Sequence, residues 1–150
     1  MTRVSVLRSV QGRVDAAALQ IGSSAWRTEI AGGPAAACTA RELLSERFGE
    51  VTPEATMHDL HLLATELITN AVLHAGVGEA DTVELRVAPS RRGLRVSITD
   101  PGADTVPQLQ PLDPTVPGGM GLFLVEQISA RWGIERTTRG ENRVWFELAA

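Results

Sequence analysis

The sequence predicts an α+β fold, a two-layer α/β sandwich whose mixed, mostly antiparallel sheet is covered on one face by helices. Three observations point to it. Thr82–Val87 and Leu94–Ile98 each alternate polar and apolar residues, the period of a strand with one buried face. The segment Pro89–Gly93 between them has the turn residues of a hairpin, which makes the pair antiparallel. Residues 35–48 and 52–75 instead repeat their apolar positions at helical spacing, so each offers one apolar stripe to a neighbouring layer.

The elements follow in order. Val4–Leu7 has the composition of a short strand, and Gly22-Ser23-Ser24 after it reads as a linker. Residues 1–22 are therefore an arm whose structure the pattern does not define, and residues 23–150 form one domain, which 150 residues can support with a sizeable core. The apolar part of the arm, Val4–Val10, is suited to pair with a second copy or a partner strand, so a homodimer is one expectation. Trp26–Ile30 alternates as a strand and Gly32-Gly33-Pro34 ends it. Pro34 suits the first turn of the helix Ala35–Phe48, whose inner face is Ala36, Ala40, Leu43, Leu44 and Phe48. Thr52 caps the next helix, with Pro53 in its first turn, and Gly76 stops it after Ala75. After the two strands comes a long connection, Pro101–Gly118, holding five of the eight prolines; loops of this length often serve as lids or binding loops. A helix over Met120–Ala130 and strands over Trp132–Arg136 and Val144–Leu148 close the chain.

Composition excludes several classes. Net charge is −4 with a pI near 5.4, which gives no general affinity for nucleic acid. All basic residues are arginine, so a Walker-type phosphate loop and Schiff-base chemistry, which both need lysine, are ruled out. Cys38 is the only cysteine and no Cys/His metal spacing occurs. Arg3, Arg8, Arg13 and Asp15 interrupt any signal peptide, and no run approaches the roughly 18 apolar residues of a membrane span. A cytoplasmic protein without membrane association is the expectation.

Three segments carry chemistry. Glu66, Asn70 and His74 recur every four residues on the central helix and so form one polar stripe among Leu60, Leu63, Ala64, Leu67, Ile68 and Ala71. Polar groups beside a core are costly unless paired or bound to something, which makes the stripe a candidate ligand face; the alternative is a solvated helix face. Asp100-Pro101-Gly102 ends a strand, where the carboxylate can hold a polar group such as an exocyclic amine and Gly102 lets a flat ligand approach the backbone; a plain turn is the competing reading. Gly118-Gly119-Met120-Gly121-Leu122 opens a helix and leaves amide groups facing an anion.

In this order the segments resemble the ATP-binding family of the gyrase, histidine-kinase and MutL type, the Bergerat fold, and within it the small bacterial anti-sigma factor serine kinases. Glu66-Leu67-Ile68-Thr69-Asn70-Ala71 with His74-Ala75 is similar to the N box, Asp100-x-Gly102 to the first glycine box, and Gly119-Met120-Gly121-Leu122-Phe123-Leu124-Val125 to the second. The ending, Ala130–Gly133 and Val144–Leu148, is also similar, so the resemblance covers residues 25–149. It implies ATP and Mg²⁺ as ligands. Asn70 then holds the metal, Asp100 takes the adenine amino group, Gly102 lies against the base, and Gly119, Gly121 and Leu122 cover the phosphates. Glu66 acts as general base on a serine of a partner, and His74 is a rim residue. The implied partners are a sigma factor and an anti-anti-sigma antagonist. Alternatives are a nucleotide-binding interaction module without kinase activity, a fragment of a sensor histidine kinase, and a scaffold that binds no nucleotide. Two departures bear on the choice: Asp104 stands where the first glycine box continues to a glycine, and Arg143 stands where relatives have a threonine that helps hold adenine.

Overall fold

A computed structural model describes residues 3–7, 25–74, 76–91, 93–102 and 121–149. They form β1 (Arg3–Leu7), β2 (Trp26–Ala31), α1 (Ala36–Phe48), α2 (Glu54–His74), β3 (Thr82–Ser90), β4 (Gly93–Asp100), α3 (Gly121–Ile128), β5 (Arg131–Arg136) and β6 (Asn142–Ala149). The predicted two-layer sandwich is present. Its sheet runs β1-β5-β6-β4-β3-β2, and every pairing among the described strands is antiparallel, so the parallel component of a mixed sheet is not found there.

Several boundaries differ from the sequence reading, among them the β3–β4 hairpin and the N-terminal arm. The hairpin is tighter, with Ser90 opposite Gly93 and Pro89 inside β3 opposite Leu94. Among the described residues the β2 ladder begins at Trp26, opposite Val87, so Pro89 lies beyond its end and interrupts none of its pairs. The arm contains a strand, β1, which pairs with β5 of its own chain from Arg3 opposite Glu135 to Leu7 opposite Arg131. Backbone pairing with a sheet edge stabilises a five-residue strand whose own periodicity is too short to define it.

Alternation builds the core. Val83, Leu85 and Val87 of β3, Leu94, Val96 and Ile98 of β4, Trp132 and Ile134 of β5, and Val144, Phe146 and Leu148 of β6 are all buried in one cluster. The helices complete it from one side, α1 through Ala36, Ala40, Leu44 and Phe48, and α2 through Leu60, Leu63, Ala64, Leu67, Ile68 and Ala71. The helical spacing of these residues is what selects helix for both segments. Trp132 Nε1 donates to the Glu126 carboxylate, which fastens α3 to β5.

The opposite face of the sheet is polar. Arg95 donates to Glu147 from Nε (3.0 Å) and Nη2 (2.8 Å), and its guanidinium lies 4.0 Å from the centroid of the Trp145 ring. The Trp145 ring covers Gly133, its cross-strand partner, and a Cβ added there would meet the ring at 2.7 Å. Gly133→Ala is therefore expected to destabilise the fold by about 1–3 kcal/mol through overpacking. Urea unfolding measures this, and an unchanged midpoint would show that the Trp145 ring is free to move.

Candidate functional site

Glu66 and Asn70 stand one turn apart on the border of the buried face of α2, and both are half-buried. Burial raises the Glu66 pKa above the ordinary carboxylate value, which brings the group closer to neutrality and makes it a better base. The Asn70 side-chain carbonyl is fully buried and has no hydrogen-bond partner. An unmet buried acceptor costs about 1–3 kcal/mol, so a group from outside the chain has something to satisfy. This is the chemistry of a hard-cation ligand: Mg²⁺ takes oxygen donors and keeps several waters. Among the described residues no cluster of three His, Cys, Asp or Glu forms a metal centre by itself. His74 ends α2, and its side chain lies outside the described residues.

The second part of the site is one end of the sheet. Asp100, the last residue of β4, is buried and continues the inward phase of Leu94, Val96 and Ile98. Its Oδ1 accepts from the Gly102 N–H at 2.7 Å. Burial raises the Asp100 pKa; the Gly102 hydrogen bond and the Arg136 charge act against this, and Glu141 adds to it. Gly102 has φ +92°, and a Cβ there would lie 2.1 Å from the Gly140 carbonyl oxygen. The tip of the β5–β6 hairpin thus already requires a glycine at this position, apart from any ligand.

The register corrects the assignment of Arg143. Asp100 is paired with Asn142, not with Arg143. Asn142 shares the inward phase of Val144 and Phe146, is 1% exposed, and its side-chain carbonyl has no partner. Arg143 points to the helix-free face, where its Nε donates to Thr99 Oγ1 at 3.1 Å and Nη1 lies 3.7 Å from Glu135. The long cation is therefore on the far side of the sheet from Asp100. Asn142 is the buried polar residue opposite Asp100 that motif reading passes over, although counting back two from Val144 in the alternation finds it.

Chain topology brings the two parts to the same end of the molecule. The Gly33 N–H donates to the Val77 carbonyl (3.1 Å) and Gly32 N–H to the Asp81 carbonyl (3.0 Å). These bonds tie the turn after β2 to the segment just beyond α2. That turn follows Ala31, which is paired with Thr82, and two residues further Glu84 is paired with Thr99. The C-terminal half of α2 thus ends where Asp100, Gly102 and Asn142 lie, and α2 packs on β4, β6 and α3. Gly121 opens α3, while the opposite end of that helix is fixed beside the end of β6 by the bond from the Ala130 N–H to the Glu147 carbonyl (2.9 Å). Leu122 is buried in the core cluster, so only its backbone is free to meet a ligand. Gly119, Asp104 and the connection 103–120 lie outside the described residues.

Residues 32–148 match the family described as histidine kinase-like ATPase domain. The chain belongs to that family. An uncharacterized protein of Streptomyces coelicolor is 40% identical over 80 residues, which is 53% of this chain and 73% of that protein. The fold also resembles a solved structure, the RsbU and RsbW domains of Rv1364c from Mycobacterium tuberculosis, with a TM-score of 0.61 and 18% identity over 84% of this chain. This chain spans about a third of that one, 32%. Among the described residues of this histidine kinase-like ATPase domain, no helix is long and apolar enough to cross a membrane.

Asp100 also supports a prediction for the unliganded protein. A carboxyl group with a raised folded-state pKa contributes stability that is present below its unfolded pKa and lost as pH rises through the folded value. Asp100→Asn is therefore expected to raise the thermal midpoint at pH 7 relative to the unchanged chain. The difference should shrink as pH falls through the raised value and vanish below the ordinary carboxylate range. A midpoint difference independent of pH would mean that ionisation of Asp100 plays no part.

Proposed function

We propose that the chain is an ATP-binding regulatory protein, an anti-sigma factor with serine/threonine-protein kinase activity toward an antagonist protein. The observation that carries this reading is the pairing of half-buried Glu66 with the buried, unmet carbonyl of Asn70 one turn later. A module that only binds nucleotide has no need of a carboxylate there. The family match, the resemblance of the three boxes to anti-sigma factor serine kinases, and the fold likeness to the RsbW domain support it.

Asn70 holds Mg²⁺ through its side-chain oxygen, and Asp100 accepts from the amino group of the base. Magnesium bound there supplies positive charge that offsets the charge on the phosphates. Backbone N–H groups at Gly121 and Leu122 face the phosphates at the start of α3, with Gly119 before them. Glu66 would take the hydroxyl proton of the serine as the γ-phosphoryl group passes to the serine oxygen and its bond to the β-phosphate breaks, leaving ADP. The resemblance implies a sigma factor and an anti-anti-sigma antagonist as partners; the composition reading adds the cytoplasm as the place, and the apolar arm adds a second copy of the chain, although its strand β1 already pairs with β5 of the same chain. Arg143 faces away from Asp100, which removes one of the two reasons for reading the chain as an interaction module without kinase activity. The test is transfer of labelled phosphate from ATP to a serine of a co-encoded antagonist protein. Nucleotide binding without transfer to any such protein would support the interaction module instead.

A further inference from the structure

The sheet ends in β2, which pairs with β3 on one side and has no strand on the other among the described residues. An open edge presents unpaired N–H and C=O groups to any strand that can match it. Trp26 and Ile30 of β2 turn to the core, so Arg27 and Glu29 stand together on the helix-free face, and both are exposed. Inside the chain each is opposite a like charge, Arg27 against Arg86 and Glu29 against Glu84. Like charges directly opposite one another are destabilising. The diagonal contact from Arg27 to Glu84 is long, 3.9 Å, and leaves the Arg27 side chain 74% exposed. Glu29 has no ion pair among the described residues. The edge thus carries one solvent-facing charge of each sign, two residues apart.

A strand edge charged with a single sign repels a second copy of itself, which is one way edges are kept apart. The order Trp26-Arg27-Thr28-Glu29-Ile30 does the reverse. When two copies meet antiparallel with Thr28 on the two-fold axis, Arg27 faces the partner's Glu29 and Glu29 faces the partner's Arg27. Trp26 faces the partner's Ile30 on the helix side, an aromatic residue against a β-branched one. Centring the pair on Arg27 or on Glu29 instead sets that residue against its own copy. Sliding one strand by a single residue brings the charged face of one copy to the helix side of the other. We propose that this chain binds a second copy of itself through the outer edge of β2, as a two-fold antiparallel pair centred on Thr28. The two six-stranded sheets then run on into one, with the helices of both copies on the same face. Backbone hydrogen bonds hold the strands, and the Arg27–Glu29 pairs fix their register. Five residue pairs make a small interface, so the dimer is a weak one. β1 lies at the opposite edge of the sheet, so this surface is distinct from the apolar arm. The inference goes beyond the nucleotide reading and does not depend on it.

Sedimentation equilibrium of the full chain, Arg27→Glu, Glu29→Arg and an equimolar mixture of the two variants tests it. The unchanged chain should dimerise with rising concentration. Each reversal sets two like charges face to face across the two-fold axis, and each should raise the dimer dissociation constant at least about tenfold. The mixture should dimerise again, because one variant then offers two acidic residues to the two arginines of the other. Each reversal also turns a like-charged pair within the chain into an opposite one, against Arg86 or Glu84, so neither should lower the thermal midpoint. That control separates loss of the dimer from loss of the fold. A chain that stays monomeric up to about 0.5 mM, a range that covers weak association, would overturn the inference. So would a dimer that both reversals leave intact, which would place the interface elsewhere, or variants whose mixture stays monomeric. Nucleotide binding by a monomeric chain would overturn the dimer and leave the ATP reading intact.

Discussion

Glu66→Gln should abolish phosphate transfer to the antagonist protein while leaving Mg-ATP affinity within about twofold of the unchanged chain. The amide keeps the size and polarity of the side chain but cannot accept the serine proton. A positioned general base contributes typically about 10²–10⁴-fold, and that is the expected loss in the rate of transfer. The raised pKa of Glu66 sets the pH dependence. Transfer needs the ionised carboxylate, so it should fall on acidification from a pH above the ordinary carboxylate range. Single-turnover transfer measured with saturating ATP separates this effect from binding. Transfer by the glutamine variant at the unchanged rate would mean that Glu66 is not the base.

Asn70→Ala should weaken Mg-ATP binding at least a hundredfold, equivalent to about 2.7 kcal/mol or more. The same substitution removes a buried carbonyl that has no partner in the free protein, so it should cost the nucleotide-free fold little. The two readouts together are diagnostic. A structural asparagine would lower the thermal midpoint and leave the remaining folded fraction able to bind. Omitting Mg²⁺ should weaken binding by the unchanged chain but have little effect on the alanine variant, whose metal position is already lost.

The inner rows of the sheet and the apolar faces of α1 and α2 are legible in the sequence because burial on one face imposes a period. The signal stops where the inner positions become polar, and that is where the candidate site lies. Asp100 and Asn142 occupy inward positions of β4 and β6, two residues from Ile98 and Val144, yet their polarity leaves them outside the apolar alternation. Strand limits read from apolar alternation fell two residues short at both places for this reason. Motif matching also chose Arg143 where strand phase selects its neighbour, since a one-residue shift in a strand changes the face. Gly133 shows a different limit. Its reason is the Trp145 ring on the adjacent strand, a contact that no local pattern contains. β1 depends in the same way on the β5 edge supplied by residues far along the chain. Spacing and order single out Glu66, Asn70, Asp100 and Gly102 as candidates, and the structure places the buried amide of Asn142 opposite Asp100.

The most direct test of the account is calorimetric titration of the full chain with Mg-ATP. A site between the C-terminal half of α2 and the Asp100 end of β4 predicts saturable binding of one nucleotide per chain, lost in Asn70→Ala. A chain that unfolds cooperatively yet gives no binding heat and no rise in thermal midpoint with Mg-ATP would contradict it.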